Sequence, residues 1–88
     1  MTEINHILKL WEKRYGYLRL SKKQCEFFSS VIDKCFTLKI LERELYGRKI
    51  DDQKRIWVSP AALNDLEVGD VLVIGRDKKG NYYIKKKE

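Results

Sequence analysis

The sequence is poor in the residues that build most catalytic and metal centres. Its 88 residues hold one histidine, two cysteines and one proline. One imidazole, His6, and two isolated thiols cannot assemble a standard four-ligand zinc site, so neither a structural metal nor another cofactor is expected. Cys25 and Cys35 lack the C-x-x-C spacing, and two cysteines do not make a disulfide framework. Both therefore read as reduced core thiols of a cytoplasmic protein. No apolar run reaches the roughly 18–20 residues that span a bilayer. The first six residues lack the basic and then apolar regions of a secretory signal, so no membrane role is expected. Pro60 stands alone, and no Pro- or Ser-rich linker divides the chain, so residues 1–88 read as a single domain. A chain of this length buries only about 60–65% of its unfolded surface, which excludes a deep substrate cavity.

The same scarcity argues against an enzyme. His6 has no evident acid–base partner, and Ser21 and Ser59 are explained as helix caps. Asp51 and Asp52 read as solvated carboxylates of a polar loop. Gly75 and Gly80 enclose Arg-Asp-Lys-Lys, a hairpin turn and not a phosphate loop.

What the chain does have is positive charge and aromatic rings. Nineteen Lys and Arg against thirteen Asp and Glu leave a net charge of +6, with two Trp, five Tyr and three Phe. Hydrophobic residues make up 43% of the chain, enough for a core. The patterning predicts a mainly β (α+β) fold of about seven strands with two short helices. Ile4–Trp11 reads as a strand, followed by a basic aromatic turn, Lys13 to Tyr17, hinged on Gly16. Strands are expected at Leu18–Leu20, Phe36–Ile40, Leu45–Ile50, Ile56–Val58, Val71–Ile74 and Tyr82–Ile84. Ser21 with Gln24 forms a capping box before a helix bearing Cys25, Phe28 and Val31 or Ile32 inward. Ser59 caps a second helix with Pro60 at its first position, and Leu63 and Leu66 facing inward. Gly69 stops that helix, and Lys85 to Glu88 reads as a fraying tail.

The two halves are alike. Adding 38 to Leu18-Arg19-Leu20-Ser21 gives Ile56-Trp57-Val58-Ser59, and adding it to Cys25 and Phe28 gives Leu63 and Leu66. Two units, approximately 13–50 and 51–88, each run strand, helix, strand, hairpin, strand. Packed about a pseudo-twofold axis they form a small closed or nearly closed barrel, with the first strand as an extra stave.

The second half, Arg48-Lys49-Ile50-Asp51-Asp52 through Val58-Ser59-Pro60, Leu66-Glu67-Val68-Gly69-Asp70 and Tyr82-Tyr83-Ile84, resembles the AbrB-like swapped-hairpin DNA-binding module. It departs from that module in carrying Val-Ser-Pro in place of Ile-Pro. Over nearly the whole chain the pattern resembles the DNA-binding pseudobarrel of plant B-three transcription-factor domains and restriction-endonuclease effector domains. Leu18–Gln24, Phe36–Ile40 with Tyr46-Gly47-Arg48, and Leu66–Val71 carry that likeness. The resemblance implies two arms gripping the major groove, here Lys13–Arg19 and Arg48–Trp57. Because one chain carries both units, a monomer is expected.

The charge distribution points the same way. Lys13, Arg14, Arg19, Lys22 and Lys23 are interleaved with Tyr15 and Tyr17 and with no acid. Arg48, Lys49, Lys54 and Arg55 precede Trp57. If Leu18, Leu20, Ile56 and Val58 point inward, Tyr17, Arg19, Arg55 and Trp57 point outward, where they suit phosphate and base contact. The leading expectation is a non-catalytic module that binds double-stranded DNA, as a transcription regulator or recognition domain. Two alternatives stand beside it: an RNA or single-strand binder that stacks bases on Tyr15, Tyr17 and Trp57, and a protein-interaction barrel whose charge serves solubility.

Overall fold

The structure is a computed structural model and describes residues 3–87. In chain order its elements are β1 (Glu3–Ile7), α1 (Leu10–Tyr15), β2 (Tyr17–Arg19), α2 (Lys22–Phe27), a 3-10 turn (Ser29–Val31), β3 (Phe36–Ile40), β4 (Arg43–Arg48), β5 (Arg55–Trp57), a second 3-10 turn (Pro60–Leu63), β6 (Val71–Arg76) and β7 (Tyr82–Lys86). The fold is mainly β with helices, as expected. Five strands form one sheet in the order β1-β6-β7-β3-β4, and β2 and β5 pair as a separate antiparallel ribbon. Every neighbour in the large sheet is antiparallel except β3 and β7.

Alternation builds these strands. Phe36, Leu38 and Ile40 are buried while Lys39 is exposed, and Leu72 and Ile74 of β6 share the core with Tyr82 and Ile84 of β7. The ribbon closes the other side of that core through Leu18 and Ile56, with Phe28, Leu63 and Leu66 filling the space between. Each such side chain contributes about 1.5–3 kcal/mol by leaving water. The resulting small barrel-like fold is not fully closed. β1 pairs with β6 as the extra stave, β1 and β4 remain the edges of the large sheet, and the Ile50–Ile56 bridge ties the chain after β4 to the ribbon.

The caps form as the residues dictate. The Ser21 Oγ accepts from the Gln24 amide at 3.2 Å, and the Gln24 Oε1 accepts from the Ser21 amide at 2.9 Å. The Ser59 Oγ accepts from the Ala62 amide, but the element it caps is one 3-10 turn and not an α-helix.

Several expectations are corrected. The first strand ends at Ile7, and Leu10–Tyr15 is a helix where the patterning predicts strand and turn. The cause is an inverted pattern: Glu12 is the buried residue of α1, while Leu10, Trp11 and Tyr15 face out. Gly16, with φ of +79°, ends that helix as its left-handed cap. Ile32 is exposed, and so is Cys35, which is therefore not a core thiol. Lys85 and Lys86 belong to β7, and the Lys87 amide donates to the Val71 carbonyl, so those residues are not a frayed tail; Glu88 lies outside the described residues. Among the described residues, no helix is long and apolar enough to cross a membrane.

Candidate nucleic-acid interface

The ribbon is built around one central pair. Leu18 opposes Ile56, flanked by Tyr17 opposite Trp57 and Arg19 opposite Arg55. Two further bonds extend it symmetrically: the Val58 amide donates to the Gly16 carbonyl at 2.8 Å, and the Leu20 amide to the Lys54 carbonyl at 2.8 Å. Adding 38 to 16 and 20 gives 54 and 58, so the backbone obeys a local twofold relation through the central pair. The outward side chains do not. One strand reads Tyr-Leu-Arg and the other Arg-Ile-Trp, so antiparallel pairing sets aromatic against aromatic and arginine against arginine.

Strand parity is as expected, since Leu18 and Ile56 are fully buried and the flanking residues face outward. The Tyr17 and Trp57 rings meet edge to face with centroids 5.0 Å apart. The Arg55 guanidinium lies over both, 4.9 Å from the Trp57 centroid and 5.6 Å from that of Tyr17. Arg48 joins them by donating from Nη1 to the Trp57 carbonyl at 3.1 Å.

Asp51 organises this cluster. One of its oxygens accepts from the Gln53 and Arg55 amides at 2.9 and 2.8 Å. The other accepts from Arg55 Nε at 2.8 Å and Trp57 Nε1 at 3.0 Å. Partial burial pushes its carboxyl up, but these four donors outweigh burial and hold it below the usual aspartate range. Asp51 is thus not the solvated loop carboxylate that its polar neighbours suggest. Any aspartate can form such a turn with the amide two residues on, so the sequence carries no signal that sets Asp51 apart from Asp52.

The other expected residues are dispersed. Lys54 adjoins the arginine end of the ribbon through its backbone bond to Leu20, and Lys49 is exposed beside the Ile50–Ile56 bridge. Lys13 does not face outward with them: it is half-buried, and its Nζ donates to the Leu66 carbonyl, fastening α1 to the turn before β6. Lys22 and Lys23 are exposed on α2, Lys23 in a groove beside Ile4 and Asn5 of β1. Arg14 and Tyr15 form a second cluster on α1 with Trp11. The Trp11 and Tyr15 rings are nearly parallel, 6.0 Å apart, and Arg14 lies 5.8 Å from each. Trp11 (54% exposed) is not marked by the sequence pattern, which sets it at the end of a strand.

A polar network centred on the buried His6–Glu12 pair ties the ribbon backbone to α1. His6 Nε2 meets Glu12 Oε2 at 2.7 Å, and Nδ1 faces Gln24 Oε1 at 3.1 Å. Gln24 Nε2 donates to the Asn5 carbonyl at 2.7 Å, which fixes Oε1 as the acceptor toward the ring. Glu12 also accepts from the amides of Lys9 and Arg19, at 2.8 and 2.6 Å. The lone histidine therefore has a structural use: it holds the carboxylate that positions the start of α1 and the Arg19 backbone.

Comparison of the chain with family models, with curated proteins and with solved structures returns no match.

Proposed function

We propose that this chain is a non-catalytic module that binds double-stranded DNA through the outward face of the β2–β5 ribbon. The observation that supports this most is the pairing of Arg19 with Arg55 on a two-stranded antiparallel ribbon backed by the core. The major groove is wide enough to admit such a ribbon, and side chains on its outer face then meet base edges and flanking phosphates. Arg19, Arg48 and Lys54 supply phosphate contacts around it, with Lys49 exposed nearby. In this reading the protein acts as a monomer in the cytoplasm, as a regulator or as the recognition part of a larger assembly.

A specific observation favours a second reading, the binding of unpaired strands. Trp11 and Tyr15 present stacked rings, each more than half exposed, with a guanidinium over them, and such surfaces stack bases of either nucleic acid. Titration with duplex DNA, single-stranded DNA and RNA at several salt concentrations separates the two. Duplex preference with affinity that falls steeply with salt supports the proposal. Preference for single strands supports the second reading, and no binding at low salt to any of the three overturns both.

A further inference from the structure

Arg19 and Arg55 are opposite one another on the ribbon, yet their surroundings differ in kind. Arg19 is exposed, and its side chain makes no hydrogen bond or ion pair among the described residues. Arg55 is half-buried, with its Nε tied to Asp51 and its guanidinium laid over two rings. Its Nη groups carry no hydrogen bond among the described residues. A guanidinium has five N–H donors in one plane. With Nε engaged, the four N–H groups on the two Nη atoms remain, and the rings and the carboxylate fix the plane in which they point.

Two ligands present a matching pair of acceptors: a phosphate, through two anionic oxygens, and guanine, through O6 and N7 in the major groove. Asp51 decides between them. Its carboxylate, 2.8 Å from Nε, cancels much of the charge that would draw a phosphate and repels an incoming anion. It leaves the direction of the Nη donors untouched, and a neutral base edge responds to direction. Adenine offers only N7 beside a donating amino group, cytosine an amino donor, and thymine a single acceptor beside a methyl group.

We propose that Arg55, held by Asp51 and the Tyr17 and Trp57 rings, reads a guanine through its O6 and N7 edge. Arg19 beside it contacts phosphate. This rests on the duplex-DNA reading and gives it a base-specific residue. Because the guanidinium is fixed before contact, little side-chain freedom is lost on binding.

The test is selection of bound sequences from randomised duplexes with the full chain, run for the wild type, Asp51→Asn and Arg55→Lys. The wild type should show one position where guanine is favoured by roughly 5- to 150-fold, the range of a good bidentate pair. Arg55→Lys keeps the charge but removes the fork, so the guanine preference should vanish, and affinity for the guanine-bearing site should fall more than affinity for arbitrary duplex. Asp51→Asn should move the two quantities in opposite directions. Guanine preference falls, while affinity for arbitrary duplex rises because one negative charge is gone. A merely structural role for Asp51 would lower both. Duplex binding by the wild type with no guanine preference, or a preference that survives Arg55→Lys, overturns the assignment and leaves the duplex reading standing. Failure of the wild type to bind duplex overturns both.

Discussion

His6 Nε2 lies 2.7 Å from Glu12 Oε2 where neither side chain reaches solvent, His6 being 5% and Glu12 2% exposed. Removing one partner leaves the other with only its remaining bonds, Glu12 with the Lys9 and Arg19 amides and His6 with Gln24. Either His6→Ala or Glu12→Ala should therefore cost about 1.5–3 kcal/mol, read by urea unfolding. A loss below about 1 kcal/mol in both variants would mean that the pair does not stabilise the fold.

Acid should weaken the protein through the same carboxylate. Burial raises the Glu12 pKa, but hydrogen bonds from His6 and the Arg19 and Lys9 amides leave it lowered overall. A carboxyl whose folded value is lowered stabilises at pH above its unfolded value, and that stabilisation is lost as pH falls through the folded value. Asp51, lowered by its own donors, adds in the same direction. Stability measured from pH 7 downward should fall once the pH enters the ordinary carboxylate range. Glu12→Gln should flatten that fall, and an unchanged acid limb would exclude Glu12 as its source.

Gly16 packs closely against the other half of the chain. With φ of +79°, a Cβ there would lie 2.3 Å from the Pro60 nitrogen and 2.3 Å from the Ser59 carbonyl carbon. Its carbonyl also accepts from the amides of Val58 and Ser59. Gly16→Ala should cost more than the 1–2 kcal/mol or so of left-handed strain alone, which is about 10 °C in Tm for a domain of this size. Calorimetry checks it, and a Tm within about 2 °C of wild type would contradict the packing.

Arg19→Glu is the cleanest probe of the ribbon. The side chain is exposed, so its replacement should change stability by less than about 0.5 kcal/mol while reducing duplex affinity about tenfold or more at moderate salt. Arg55→Glu is less clean, because it sets a second carboxylate against Asp51. Fluorescence anisotropy with a labelled duplex gives the affinity, and unchanged binding by Arg19→Glu would remove the ribbon face from the interface.

The two thiols should react unequally. Cys35 is exposed, whereas Cys25 is half-buried and burial pushes its thiol up, against a smaller opposing pull from Lys54. Iodoacetamide should modify Cys35 about tenfold faster or more, measured by peptide mass spectrometry. Equal rates would place Cys25 at the surface too.

Where local chemistry and tertiary packing agree, the elements are legible directly. Phe36–Ile40 alternates and is a strand over that span, Ser21 and Gln24 cap each other, and Leu18 and Ile56 point inward together. α1 is not legible, because hydrophobic patterning assumes that the buried face is apolar. There a carboxylate turns inward to meet His6, while Trp11 and Tyr15 turn out. The composition of the candidate face is legible from strand parity, but its organisation is not. Asp51 lies in a run of polar residues, and only the folded turn brings it to Arg55 and Trp57. Lys13 is the converse case: a basic residue in a basic stretch finds a carbonyl 53 positions away.

The mismatch between the ribbon's backbone and its side chains has a geometric consequence. Rotated by half a turn about the Leu18–Ile56 centre, the ribbon's main chain falls on itself, but the Tyr17–Trp57 end and the Arg19–Arg55 end change places, and only Arg55 reaches back over the rings. The face has a heading, like an arrow drawn on a symmetrical plate. A linear molecule laid along it would meet different chemistry in its two orientations.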